Sequence, residues 1–275
     1  MDRLAVRRAV AFSMALPLVV TAPSSNASAV VFSASGANAA AIQTTVDSFR
    51  TSLGVNNGTG GFYATGRREI GWDDVPDSSA APNALPGTYF NLGAPRGAVF
   101  STPGTGFQVS ASNSTGTPVR FGNLNPLYTT TFITFSAERL FTPLGANIFD
   151  VTFFMPGTNT PAFVSSFGVV FCDVDAAATT IQFFDTNGLS LGSFAAPAFD
   201  GGLSFLGIHY NAGERIGRAR VTLGNTVIGP ADGGAATDVV VADDLIYGEP
   251  ACIADASGPI VTPPPSSTLT QTVCQ

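Results

Sequence analysis

Lysine is absent from all 275 residues, histidine occurs once, and there are only three cysteines. Without lysine there is no Schiff-base or lysine general-base chemistry, and any histidine-based triad or zinc centre would hang on His209 alone. Charged residues make up only 11% of the chain. The acidic share is mostly aspartate, fifteen Asp against four Glu, and every one of the twelve basic residues is Arg. Long apolar runs are also missing beyond the N-terminus, and no later stretch has the length of a membrane-spanning helix.

The N-terminus sets the expected address. Arg3, Arg7 and Arg8 precede an apolar stretch from Ala9 to Val20, interrupted by Pro17, and Ala27-Ser28-Ala29 offers a small-x-small cleavage site. This order of features predicts a secretory signal peptide over residues 1–29 and a secreted, extracellular protein. Cleavage would remove Asp2 and three arginines, moving the formal charge from −7 to −9. So acidic a chain repels phosphate backbones, which argues against nucleic acid as a partner, and no membrane attachment is expected after signal cleavage.

Composition then predicts an all-β fold. Thirty Gly, nineteen Pro and twenty-two Phe suit many short strands joined by turns. One helix is expected near 38–54, where Asn38 can cap a segment that puts Ile42, Val46, Phe49 and Leu53 on one face before Gly54. Beyond it the period is two. Phe167, Val169 and Phe171 share one strand face, Ile181 and Phe183 another, and Ala219, Val221 and Leu223 point inward between Arg218, Arg220 and Thr222. Turn signals every eight to twelve residues predict an antiparallel β-sandwich (jelly roll) over 30–250, with edge strands and long loops between Gly58 and Gly122. A Pro/Ser/Thr-rich tail follows over 251–275, in which Cys252 and Cys274 can form a disulfide, while Cys172 reads as a buried free thiol.

The residues able to carry chemistry are acidic. Asp173 and Asp175 lie two apart at a strand end, and Asp243 and Asp244 sit inside the last apolar strand, where ionised carboxylates need compensation. Calcium supplies that outside the cell, taking six to eight oxygen ligands with tolerant geometry. The alternatives are solvated turns at Asp173 and Asp175 with a bulge at Asp243, or a catalytic carboxylate pair. A second acidic group, Glu69, Asp73, Asp74 and Asp77, surrounds Trp72, the only tryptophan. An aromatic face beside carboxylates suits carbohydrate recognition; it equally suits a core tryptophan flanked by salt bridges from Arg67 or Arg68. His209, in register with Leu203 and Phe205, reads as a half-buried, satisfied histidine.

The segments Phe167-Gly168-Val169-Val170-Phe171-Cys172-Asp173-Val174-Asp175, Ile181–Asp185, Leu203–Ile208 and Asp243-Asp244-Leu245-Ile246-Tyr247-Gly248-Glu249-Pro250, taken in order, resemble bacterial secreted or surface proteins with a lectin-like, concanavalin A-like jelly roll, including the ectodomains of PEP-CTERM exported proteins. Gly66–Pro76 resembles their N-terminal half. The resemblance implies an exported, non-catalytic module that binds calcium through acidic strand ends. The expected function is thus a calcium-stabilised β-sandwich that binds an extracellular glycan or surface polymer. A glycoside hydrolase using Glu69 with Asp73, or a purely structural envelope protein, are the alternatives.

Overall fold

The computed structural model describes residues 29–253. In chain order the elements are β1 (Ala29–Gly36), α1 (Ala39–Leu53), β2 (Arg67–Ile70), β3 (Ala98–Ser101), β4 (Gly106–Val109), α2 (Tyr128–Thr131), β5 (Phe141–Leu144), β6 (Ile148–Phe153), β7 (Ala162–Phe163), β8 (Ser166–Val174), β9 (Thr180–Asp185), β10 (Ser190–Ala195), β11 (Phe199–Tyr210), β12 (Ile216–Thr222), β13 (Val241–Gly248) and β14 (Ala251–Cys252). The strands form the expected antiparallel sandwich. One layer has seven strands in the order β1-β11-β8-β13-β5-β4, with β2 also pairing β13; the other has five, in the order β10-β9-β12-β6-β3. The irregular first half belongs to the same two layers, since β2 and β4 join the larger sheet and β3 closes an edge of the smaller.

The core between the sheets is aromatic: Trp72, Phe100, Phe141, Phe149, Phe167 and Phe183 are all at most 3% exposed. A second core lies on the outer face of the larger sheet, beneath α1. The helix forms where the sequence predicts it. The side chain of Asn38 accepts from the Ala41 amide, Gly54 ends the helix at φ +92°, and Ile42, Val46, Phe49 and Leu53 are the buried positions. Covered on both faces, β8 and β13 are buried at every residue. Phe167, Val169 and Phe171 point between the sheets, whereas Val170 and Cys172 point under α1. That double burial explains why β8 carries apolar or small residues on both faces from Phe167 to Cys172, rather than alternating with polar ones.

Gly168 and Gly207 face each other across β8 and β11 because Phe49 lies over them. A Cβ at Gly168 would come within 3.0 Å of the Phe49 ring and 2.9 Å of the Gly207 Cα. Phe49 also meets Phe32 and Phe205 edge-on at 5.3 and 5.5 Å. Cys172 is free and buried as expected, and its Sγ accepts from the Ile133 amide. Cys252 lies in β14, 4% exposed. Cys274, the signal segment and most of the tail lie outside the described residues. No helix among the described residues is long and apolar enough to cross a membrane.

Candidate functional site

Asp243 and Asp244 sit in a bulge of β13 beside β8, and Asp173 and Asp175, at the C-terminal end of β8, face a bulge of β11. On one side, β13 keeps register with β8 at Ala242↔Phe171 and resumes it at Leu245↔Val169, so Asp243 and Asp244 together oppose Val170. On the other, β11 pairs Phe199↔Val174 and then Leu203↔Cys172, leaving Asp200, Gly201 and Gly202 opposite Asp173. Bulges of this kind re-aim side chains and free backbone groups from the ladder.

At the β13 bulge the protein supplies the compensation itself. Asp243 is fully buried and Asp244 is 6% exposed. The Phe135 amide donates to Asp243 Oδ2 at 2.7 Å. Ser136 Oγ lies 3.1 Å from Asp243 Oδ1, 2.8 Å from Asp244 Oδ1 and 3.3 Å from Asp73 Oδ2. The single Ser136 hydroxyl proton can be donated to only one of these carboxylates at a time. Burial, then the neighbouring Asp244, pushes the Asp243 carboxyl well above its usual range. Arg50, reaching down from α1, pairs with Asp244 at 3.4 Å and with Glu69 at 2.8 Å, and Arg67 takes the other Glu69 oxygen at 2.6 Å.

This arrangement corrects two expectations. Asp243 and Asp244, expected to be compensated by calcium, belong to neither of the acidic groupings that could hold an ion among the described residues. Arg50, Ser136 and the Phe135 amide meet their need instead. Trp72, for its part, is fully buried and offers no ring face to a sugar. Its indole N–H donates to the Asp243 carbonyl at 2.6 Å, closing the acceptor that the bulge releases, and its ring stacks on Phe141 at 4.3 Å and 6°.

The acids around Trp72 are tied down as well. Both Glu69 oxygens are engaged by guanidinium groups, Asp73 accepts from the Arg139 amide at 3.1 Å, and exposed Asp74 lies 3.7 Å from Arg96. Of the two arginines expected to flank them, only Arg67 does so. Arg68 is fully buried and grips Glu249 with two hydrogen bonds of 2.5 and 2.6 Å. An open concavity lined by Ser101, Thr102, Pro103, Ile148, Asp150 and Arg220 contains none of these acids; Asp150 there pairs with Arg218 and Arg220. His209 accepts or donates to Ser166 Oγ through Nδ1 at 2.6 Å, and burial lowers its pKa.

At the β11 bulge nothing comparable exists. Asp173 is 1% exposed and sits at φ +68°, a left-handed conformation uncommon for a residue with a Cβ. Its Oδ1 accepts from the Gly201 amide at 2.8 Å, but its Oδ2 and both oxygens of Asp175 are shielded from solvent without a hydrogen-bond partner. Around them stand Asp200 from the bulge and Asp232 and Asp238 from the loop before β13. That loop is held in place by Asn225, which accepts from the Asp238 amide at 2.9 Å and donates to the Ala235 carbonyl at 3.1 Å, and by Tyr128, whose hydroxyl accepts from the Gly229 amide at 2.8 Å. None of the five aspartates takes part in an ion pair among the described residues. Burial, followed by the surrounding acids, raises Asp173 to about 6 and Asp175 to about 7.

Sequence reasoning singled out Asp173 and Asp175 but passed over Asp200, Asp232 and Asp238. A signal for two of these was present: Asp200-Gly201-Gly202 and Asp232-Gly233-Gly234 are two copies of one triplet, with Gly201 at φ +65° and Gly234 at φ +66°. No family model, curated protein or solved structure matches this chain.

Proposed function

We propose that the chain is an exported, non-catalytic β-sandwich module whose fold is completed by calcium at the corner where β8, the β11 bulge and the 225–238 loop meet. One observation carries this reading: three buried carboxylate oxygens, on Asp173 and Asp175, have no hydrogen-bond donor, and no guanidinium pairs with them. A buried charge without a partner is costly, and a hard divalent cation is the ligand that suits an all-oxygen donor set. The absence of histidine and cysteine from the group turns the choice away from zinc and copper, and the tolerance of calcium for six to eight oxygens leaves room for backbone carbonyls and water. Export, expected from the leader, places the chain where calcium is abundant, and a Cys252–Cys274 bridge fits the same compartment.

Carbohydrate binding is not part of this reading, because Trp72, its main support, lies in the core. Nor does the structure favour a hydrolase: Glu69 is clamped between two arginines rather than poised as an acid. Thermal unfolding of the purified protein in millimolar calcium and in excess chelator tests the proposal. The midpoint should fall in chelator and recover on adding calcium back, and Asp175→Asn should remove the difference. Identical curves with and without chelator would rule the site out.

A further inference from the structure

Resting on that reading, we propose that the corner holds two cations, bridged by Asp175. The carboxylates form two triads, Asp173–Asp175–Asp200 and Asp175–Asp232–Asp238, and in each the candidate ligand oxygens all lie within 4.8 Å of one another. Asp175 alone belongs to both. It is also the aspartate with both oxygens buried and unpartnered, which leaves both free to ligate, one ion on each oxygen.

The other ligands divide along the same line. On the first side, Asp173 Oδ1 is fixed by the Gly201 amide, which leaves the unpartnered and almost wholly buried Oδ2 for an ion. On the second, Asp238 accepts from the Asp175 and Ala176 amides at 3.4 and 3.2 Å, and Asp232 from the Val239 and Gly234 amides at 3.1 and 3.3 Å. These amides orient the two carboxylates and leave each oxygen a lone pair for a metal. Each triad draws one member from an Asp-Gly-Gly triplet, Asp200 in one and Asp232 in the other.

Charge points the same way. Five carboxylates share the corner, so one divalent ion would leave three negative charges and two ions leave one. The ions should differ in affinity. The Asp232–Asp238 side is preorganised by four amides, whereas the first side depends on exposed Asp200, so the former fills first.

Calcium titration followed by native mass spectrometry of the full exported chain reads the stoichiometry directly. Two ions are expected for the wild type, one each for Asp200→Asn and Asp232→Asn, and none for Asp175→Asn. Asp200→Asn also serves as the mild variant, because its side chain is exposed and the substitution is nearly isosteric. A single ion in the wild type would overturn the bridge while leaving the calcium proposal standing; no ion at all would overturn both. Two ions retained by both single variants would reject the assignment of ligands.

Discussion

The two bulges beside β8 pose one physical problem and meet it in opposite ways. At Asp243 and Asp244 the carboxylates are held by an arginine from α1, a serine hydroxyl and a backbone amide. At Asp173 and Asp175 no basic side chain among the described residues forms an ion pair, and beyond the Gly201 amide on one Asp173 oxygen the carboxylates stand among further acids. The difference lies in what each bulge faces. The β13 bulge lies under α1, which delivers Arg50; the β11 bulge lies at the end of β8, where acidic loops converge. In a chain with no lysine and twelve arginines against nineteen acids, internal cations cannot pair with every carboxylate, and the corner at Asp173 and Asp175 is where the proposed calcium would take their place.

The comparison can be broken most strongly at the β13 side. Trp72→Ala should cost about 4 kcal/mol through the cavity it leaves and the Asp243 carbonyl it strips of its donor. In urea unfolding the loss should be equal with and without calcium, because the bulge on that side needs no ion. Arg50→Met removes the cation shared by Glu69 and Asp244, both mostly buried, and should cost about 3 kcal/mol, again independently of calcium. If added calcium restored either variant, the two regions would not be separate.

On the β11 side the effect should come from the ion. Each bound calcium at about one hundred times its dissociation constant should raise the unfolding free energy by about 2.7 kcal/mol, read as a shift of the urea midpoint, and Asp175→Asn should abolish that shift. Smaller still is the pH effect in chelator. The folded-state pKa values of Asp173 and Asp175, about 6 and about 7, lie above those of the unfolded chain, so the folded protein binds more protons in that window. Stability of the metal-free protein should therefore decline as pH rises from about 4 through about 7 and level off above it. Saturating calcium should flatten the decline, since the ion replaces the protons.

Local features were legible in the sequence and long-range ones were not. The cap at Asn38, the period of the apolar positions in α1 and the alternation at Ala219, Val221 and Leu223 are set by near neighbours, and all appear in the fold. The double burial of β8 follows from α1 folding back over the sheet, which no window of β8 itself encodes. The bulge opposite Val170 depends on a strand far away in sequence, so Asp243 and Asp244 looked like a metal pair when the Phe135 amide and Ser136 already served the first and Arg50 the second. Trp72 looked suited to a sugar because carboxylates stand beside it in the sequence, while its ring turns into the core. Conversely, Asp173 and Asp175 were visible as a pair, but their three companions come from β11 and the 225–238 loop, brought together only by the topology.

A crystal structure of the protein grown in calcium chloride tests the central claim most directly. The account predicts strong density against Asp173 Oδ2 and Asp175, at about 2.3–2.6 Å from their oxygens. Water alone at that position, with the carboxyls hydrogen-bonded to one another through shared protons, would contradict it.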